Sequence, residues 1–151
     1  MKVFDTKGLG RTIVIELERG EKIVETICEA LKKAGVENAI VGSAVGSIQK
    51  LIYHRPTDMG AAANDEILCV EKPMEIGSLT GSVFGGKAHF HIVAADPENV
   101  YVGHLEEGSE AMYLLEVTMV EVDGCELERR MTPEKVTKLF PKNGTTIKNN
   151  I

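Results

Sequence analysis

The chain has 151 residues, 43% hydrophobic and 26% charged, which is enough for one core-bearing domain without disulfide staples. A net charge of −6 and a pI near 5.3 argue against nucleic-acid binding, which leaves a basic footprint. No signal-like apolar run follows Met1, none approaches membrane-spanning length, and Cys28, Cys69 and Cys125 are odd in number and far apart; a cytoplasmic protein with reduced, buried thiols and no membrane partner is expected.

In chain order, Arg11 to Glu18 reads as a strand by its β-branched content, and Arg19-Gly20 punctuates it. A helix follows over Glu21 to Lys33, because Ile23, Val24, Ile27 and Leu31 recur on one face and Gly35 supplies the stop. The glycine-rich stretch Ala39 to Ser47 runs into Leu51-Ile52-Tyr53. With no Lys-Ser or Lys-Thr ending it is a strand bent at Gly42 and Gly46 rather than a phosphate loop. His54 follows at the mouth of a loop, Arg55 to Asp65, and is read as surface or pocket lining. Glu66 to Glu71 resumes as a strand.

Glu75 to Phe84 is a further strand, joined by Gly85-Gly86 to the strand that begins at Lys87 in a tight hairpin. Alternation in Lys87-Ala88-His89-Phe90-His91-Ile92-Val93 puts His89 and His91 on one side and Ala88, Phe90 and Ile92 on the other. Asp96-Pro97-Glu98-Asn99 has the residues of a turn. Symmetrical folding about Pro97 and Glu98 sets His91 opposite His104 and His89 opposite Glu106, and opposed side chains share a face. Three neutral imidazoles converging on one point suit a divalent transition metal, and zinc is the default when a fourth position stays open. One zinc per chain, held by His89, His91 and His104, is therefore expected, with room for a small-molecule ligand. Pairing Phe84 with Lys87 continues the histidine face as Ser82 and Thr80. These hydroxyls, with Glu106, either orient the imidazoles from behind or lie on a solvated sheet face.

Ala111 to Val122 is a long strand in which Glu116 stands as a carboxylate between apolar neighbours, a candidate buried acid or base. Arg129-Arg130 reads as solvated surface. Thr132-Pro133-Glu134 looks like a helix start, leading a short helix to Phe140. The expected architecture is α+β: a mostly antiparallel sheet, curled or closed into a barrel, with one main helix packed on it and a short C-terminal helix. Residues 1–140 form one domain and 141–151 a polar tail.

Several segments together resemble the plants-and-prokaryotes-conserved (PPC) domain in its single-domain prokaryotic form. They are the Arg11 strand leading to Arg19-Gly20-Glu21, the Val41 to Gly46 stretch, Met74 to Ser82, His89-Phe90-His91, Gly103-His104-Leu105 with Glu107-Gly108, and Leu115-Glu116-Val117. The resemblance implies a barrel-like α+β domain that assembles as a homotrimer, with the three histidines as zinc ligands. The family's DNA-binding label comes from plant members that add a basic AT-hook, and no such arm is present here. More distantly the chain resembles α-acetolactate decarboxylase, in which a His-x-His pair and a later histidine hold zinc. Two functions follow as expectations. One is a metal-dependent lyase or hydrolase acting on a small carbonyl or carboxylate metabolite; the other is a non-catalytic trimeric scaffold or regulatory module.

Overall fold

The computed structural model describes residues 1–142. In chain order the elements are β1 (Gly8–Glu18), α1 (Ile23–Lys33), β2 (Ala39–Pro56), β3 (Asp65–Val70), β4 (Met74–Phe84), β5 (Lys87–Ala95), β6 (Val100–Leu105), β7 (Glu110–Asp123), β8 (Leu127–Met131) and β9 (Thr137–Pro141). Seven strands form one antiparallel sheet in the order β1-β7-β2-β4-β5-β6, with β3 added along β2. The architecture is thus dominated by sheet, and α+β describes it only in outline. α1 lays Ile23, Val24, Ile27 and Leu31 into a core shared with Leu17, Val83, Phe90, Ile92, Leu115 and Met119, all buried. Gly35 ends the helix as expected, and the Val36 amide donates back to the Leu31 carbonyl at 2.9 Å. No helix among the described residues is long and apolar enough to cross a membrane.

Curling of this sheet depends on β2. Its first half pairs with β7 and β4, with register shifts at Val41/Ser43 and Gly46/Ile48, the two places where bends were expected. The second half turns back against β6, setting Tyr53 opposite Leu105 and His54 opposite His104. That approach needs Gly103, since a Cβ there would lie 2.5 Å from the His54 carbonyl oxygen and 2.7 Å from the Tyr53 ring. β1 and β3 remain edges among the described residues, so the sheet is curled rather than closed into a barrel.

The β4–β5–β6 register is the one the sequence predicts. Phe84 faces Lys87, Ser82 faces His89, Thr80 faces His91, and His91 faces His104. The turn between β5 and β6 is pinned by Asp96. Its Oδ1 accepts the Glu98 and Asn99 amides at 2.8 Å, and its Oδ2 accepts the Tyr101 hydroxyl at 2.8 Å. These donors, the Glu98 amide foremost, hold the Asp96 carboxyl far below its ordinary range.

Three expectations are corrected. Thr132 to Phe140 is not a helix: Pro133 sits at the second corner of a tight turn, the Lys135 amide donates to the Thr132 carbonyl at 2.9 Å, and Lys135 is left-handed at φ 59°. The chain then returns as β9 against β8, because a helix this short gains too few internal bonds to compete with strand pairing. Pro141 and Lys142, placed in the tail, belong to this hairpin, and the Lys142 amide donates to Glu126 at 2.8 Å; residues 143–151 lie outside the described residues. Cys69 is exposed rather than buried, since it lies on β3, an edge strand.

Gly81 lies at φ +132°, and a Cβ there would sit 2.0 Å from the His89 carbonyl oxygen. Gly81→Ala is expected to destabilise the fold by about 3 kcal/mol or more, through backbone strain plus overpacking. Urea denaturation checks it, and a loss below about 1 kcal/mol would contradict the close approach.

Candidate metal centre

Alternation along β5 and the pairing of β5, β6 and β2 bring all four histidines of the chain to one face. His91, His104 and His54 form a row across three neighbouring strands, and His89 lies two residues from His91. Ring centroids are 5.2 Å apart for His89 and His91, 4.9 Å for His89 and His104, and 5.4 Å for His91 and His104. His54 stacks on His104 at 4.4 Å. One ring nitrogen from each of His89, His91 and His104 lies within 4.8 Å of the others, and the Nε2 atoms of His89 and His91 are 3.2 Å apart. Two nitrogens bound tetrahedrally to zinc at about 2.0–2.1 Å are themselves about 3.3 Å apart. The His89–His91 pair therefore already has the spacing of two ligands to one ion, and the third nitrogen lies within 4.8 Å of both.

Two of the imidazoles are held toward the uncharged form that a metal requires. Burial, aided by the neighbouring His54 and His89, holds His104 down at about 4. Burial, then Arg129 and His91, lowers His89 as well. The set opens into a cleft of about 560 Å³ lined also by His54, Asp65, Glu106, Arg129 and Lys135.

The other candidates fall differently. Thr80 faces His91 in register yet is exposed and hydrogen-bonds to no imidazole among the described residues. Ser82 reaches His89 only indirectly: its Oγ accepts Nη2–H of Arg129 at 2.7 Å, and Nη1 of the same guanidinium lies 3.2 Å from His89 Nδ1. Glu106 does not face His89. β6 ends at Leu105, the Glu106 amide turns to the Ile52 carbonyl at 2.9 Å, and its carboxylate accepts Nδ1–H of His54. His54, His104 and Glu106 thereby form a second group able to hold a metal. Glu116 is exposed on the solvent face of β7, opposite Glu16 and Val45 and outside the cleft. Its apolar neighbours Leu115 and Val117 point inward, and alternation sends Glu116 out.

Sequence reasoning missed Arg129 and the role of His54. Arg129 is only 7% exposed, because β8 alternates Leu127 and Arg129 inward. That signal was legible in Leu127-Glu128-Arg129-Arg130 once the segment is read as a strand.

The chain is similar to known proteins in sequence and in fold. A family model described as the Plants and Prokaryotes Conserved (PCC) domain matches residues 4–123. A metal-containing protein from Archaeoglobus fulgidus superposes with a TM-score of 0.77 at 26% identity, covering 94% of this chain and 100% of that one. A plant- and prokaryote-conserved protein from Pyrococcus horikoshii gives 0.74 at 24% identity, over 89% and 92%. A candidate DNA-binding protein from Bacteroides thetaiotaomicron gives 0.72 at 18%, over 91% and 96%. The last two likenesses speak for the fold alone. No curated protein matches the chain.

The depressed His104 has a consequence for stability. In the native cleft it stays neutral until about pH 4, against 6.5 for an unperturbed imidazole. Between those values the unfolded chain binds more protons, so its contribution is complete above about pH 6.5 and is lost as pH falls toward 4. The urea midpoint of metal-free protein is expected to fall between about pH 7 and 5, less steeply in His104→Gln; equal slopes would contradict the assignment.

Proposed function

The chain belongs to the Plants and Prokaryotes Conserved (PCC) domain family, and from that premise we propose that it is a zinc-binding homotrimer whose His89, His91 and His104 hold one ion per chain. The observation that carries this reading is the convergence of three ring nitrogens within 4.8 Å at the wall of an open cleft. Three histidines that leave a further position free are the ligand pattern of catalytic rather than structural zinc. The site's proposed work is a lyase or hydrolase reaction on a small carbonyl or carboxylate metabolite. Zinc bound there would supply Lewis acidity to a carbonyl or carboxylate oxygen.

The chain's own residues supply the rest. His54, held through Nδ1 by the Glu106 carboxylate, is oriented beside His104 and takes the acid–base role that Glu116, outside the cleft, cannot fill. The β8–β9 hairpin lines the cleft with Arg129, Met131, Val136 and Thr137. Nucleic acid is not a favoured partner, since the net charge is −6.

Assembly has its own support. Val14, Val45 and Leu114 are 69%, 64% and 44% exposed on the outer face of β1, β2 and β7, where the register aligns them around Glu16 and Glu116. An apolar stripe on a sheet face is a surface suited to burial against another chain. This observation also favours the second reading, a trimeric scaffold or regulatory module in which the ion serves structure.

Untagged protein purified without added metal is expected to carry close to one zinc ion per chain by elemental analysis. His91→Ala should weaken zinc binding by more than about 100-fold, beyond what loss of an outer partner costs, and leave a folded oligomer. Full zinc retention in that variant would refute the site. By light scattering the wild type should be a trimer and Val45→Asp a folded monomer; a variant that stays trimeric would remove the β1-β7-β2 face from the interface.

A further inference from the structure

The guanidinium of Arg129 is buried, yet no carboxylate among the described residues lies within ion-pair distance of it. Buried arginines are ordinarily paired, because desolvating a cation without a counter-charge is costly. The cleft's own carboxylates are committed elsewhere: Glu106 accepts from His54 Nδ1, and Asp65 lies 3.9 Å from His54 Nε2. Three Arg129 contacts are made instead to uncharged groups. Nε–H donates to the Lys87 carbonyl at 3.3 Å, Nη2–H to Ser82 Oγ at 2.7 Å, and Nη1–H to His89 Nδ1 at 3.2 Å.

The last contact conflicts with a metal at His89. A guanidinium only donates, so Nδ1 is the acceptor and the neutral ring carries its proton on Nε2. That proton points at His91 Nε2, 3.2 Å away, along the edge where a metal would sit. A metal takes the Nε2 lone pair, which moves the proton to Nδ1 and leaves two donors facing each other. His89 cannot serve Arg129 and the metal at once.

We infer that Arg129 is a carboxylate receptor released by metal binding, so that a divalent metal and a small carboxylate anion enter this cleft cooperatively. The inference rests on the proposed three-histidine site and names the ligand class it takes. Once His89 turns to the metal, the freed Nη1–H lies in a cleft with surplus positive charge, and a planar carboxylate matches the donor fork. In return, an anion that draws Arg129 off His89 removes the competitor for that imidazole, and linkage makes the two effects equal in size.

The test is zinc affinity of the untagged full chain, measured by chelator competition at constant ionic strength in sodium acetate or sodium perchlorate. Acetate is expected to tighten zinc binding by about fivefold or more. Arg129→Gln, whose amide oxygen can accept from Nδ1–H, should bind zinc more tightly than wild type in perchlorate and lose the acetate effect. Arg129→Lys, which keeps a charged donor, should retain it in part. Zinc affinity within about twofold between the two salts overturns this inference and leaves the metal site standing. An acetate effect that persists in Arg129→Gln assigns the anion elsewhere and overturns it too. Zinc that fails to bind wild type in either salt overturns the metal reading as well. The wild-type comparison requires no variant to fold.

Discussion

The candidate metal site depends on the register of β5 between β4 and β6. Side chains on a strand alternate, so a slip of one residue would carry His89 and His91 to the core side and drive Phe90 and Ile92 into solvent. The apolar set enforces the register from below: Leu79, Val83, Phe90 and Ile92 are all nearly inaccessible. The Asp96 turn and the contact of Gly81 with the His89 backbone enforce it from the ends. The energy of a hydrophobic core is thus what holds a polar cluster in place, since three imidazoles on one open face would not gather for their own benefit.

A second constraint is the curl of β2. By spanning both halves of the sheet it brings His54 against His104, and the absence of a side chain at Gly103 lets the backbones meet. His54 then stands in a carboxylate–imidazole pair with Glu106 and not on a loop edge. The β8–β9 hairpin lines the cleft and delivers a buried guanidinium beside His89. The result is a face rich in nitrogen donors and poor in free negative charge, within a chain that is acidic overall. Local charge, rather than net charge, selects what enters.

The outer face of β1, β7 and β2 follows a different logic. Glu116 and Glu16 meet there across the strands, flanked by exposed valines and a leucine. Like charges opposed on a solvated sheet are unfavourable, and exposed apolar groups gain nothing from water. Both features make sense on a surface that another chain covers, on strands whose exposed residues do not line the histidine cleft.

The sequence by itself determined the elements whose signals are periodic or local. The amphipathic helix with its glycine stop, the Gly85-Gly86 hairpin, the Asp96 turn and the histidine register are all written in alternation and turn chemistry, which act over a few residues. Tertiary structure decided what depends on partners distant in the chain. The segment from Thr132 to Phe140 carries helix-start residues, but the waiting edge of β8 made it a strand. Arg129 looked like half of a solvated doublet until that strand existed to turn it inward. Glu116 looked buried by its neighbours, although the same alternation that found the histidines places it outside. Glu106 and His54 found each other because β6 ends one residue early and β2 curls back, and neither event leaves a mark within either segment. Short-range sterics and periodicity are encoded locally; which donor meets which acceptor is settled only when the sheet curls back and burial makes an unpaired group costly.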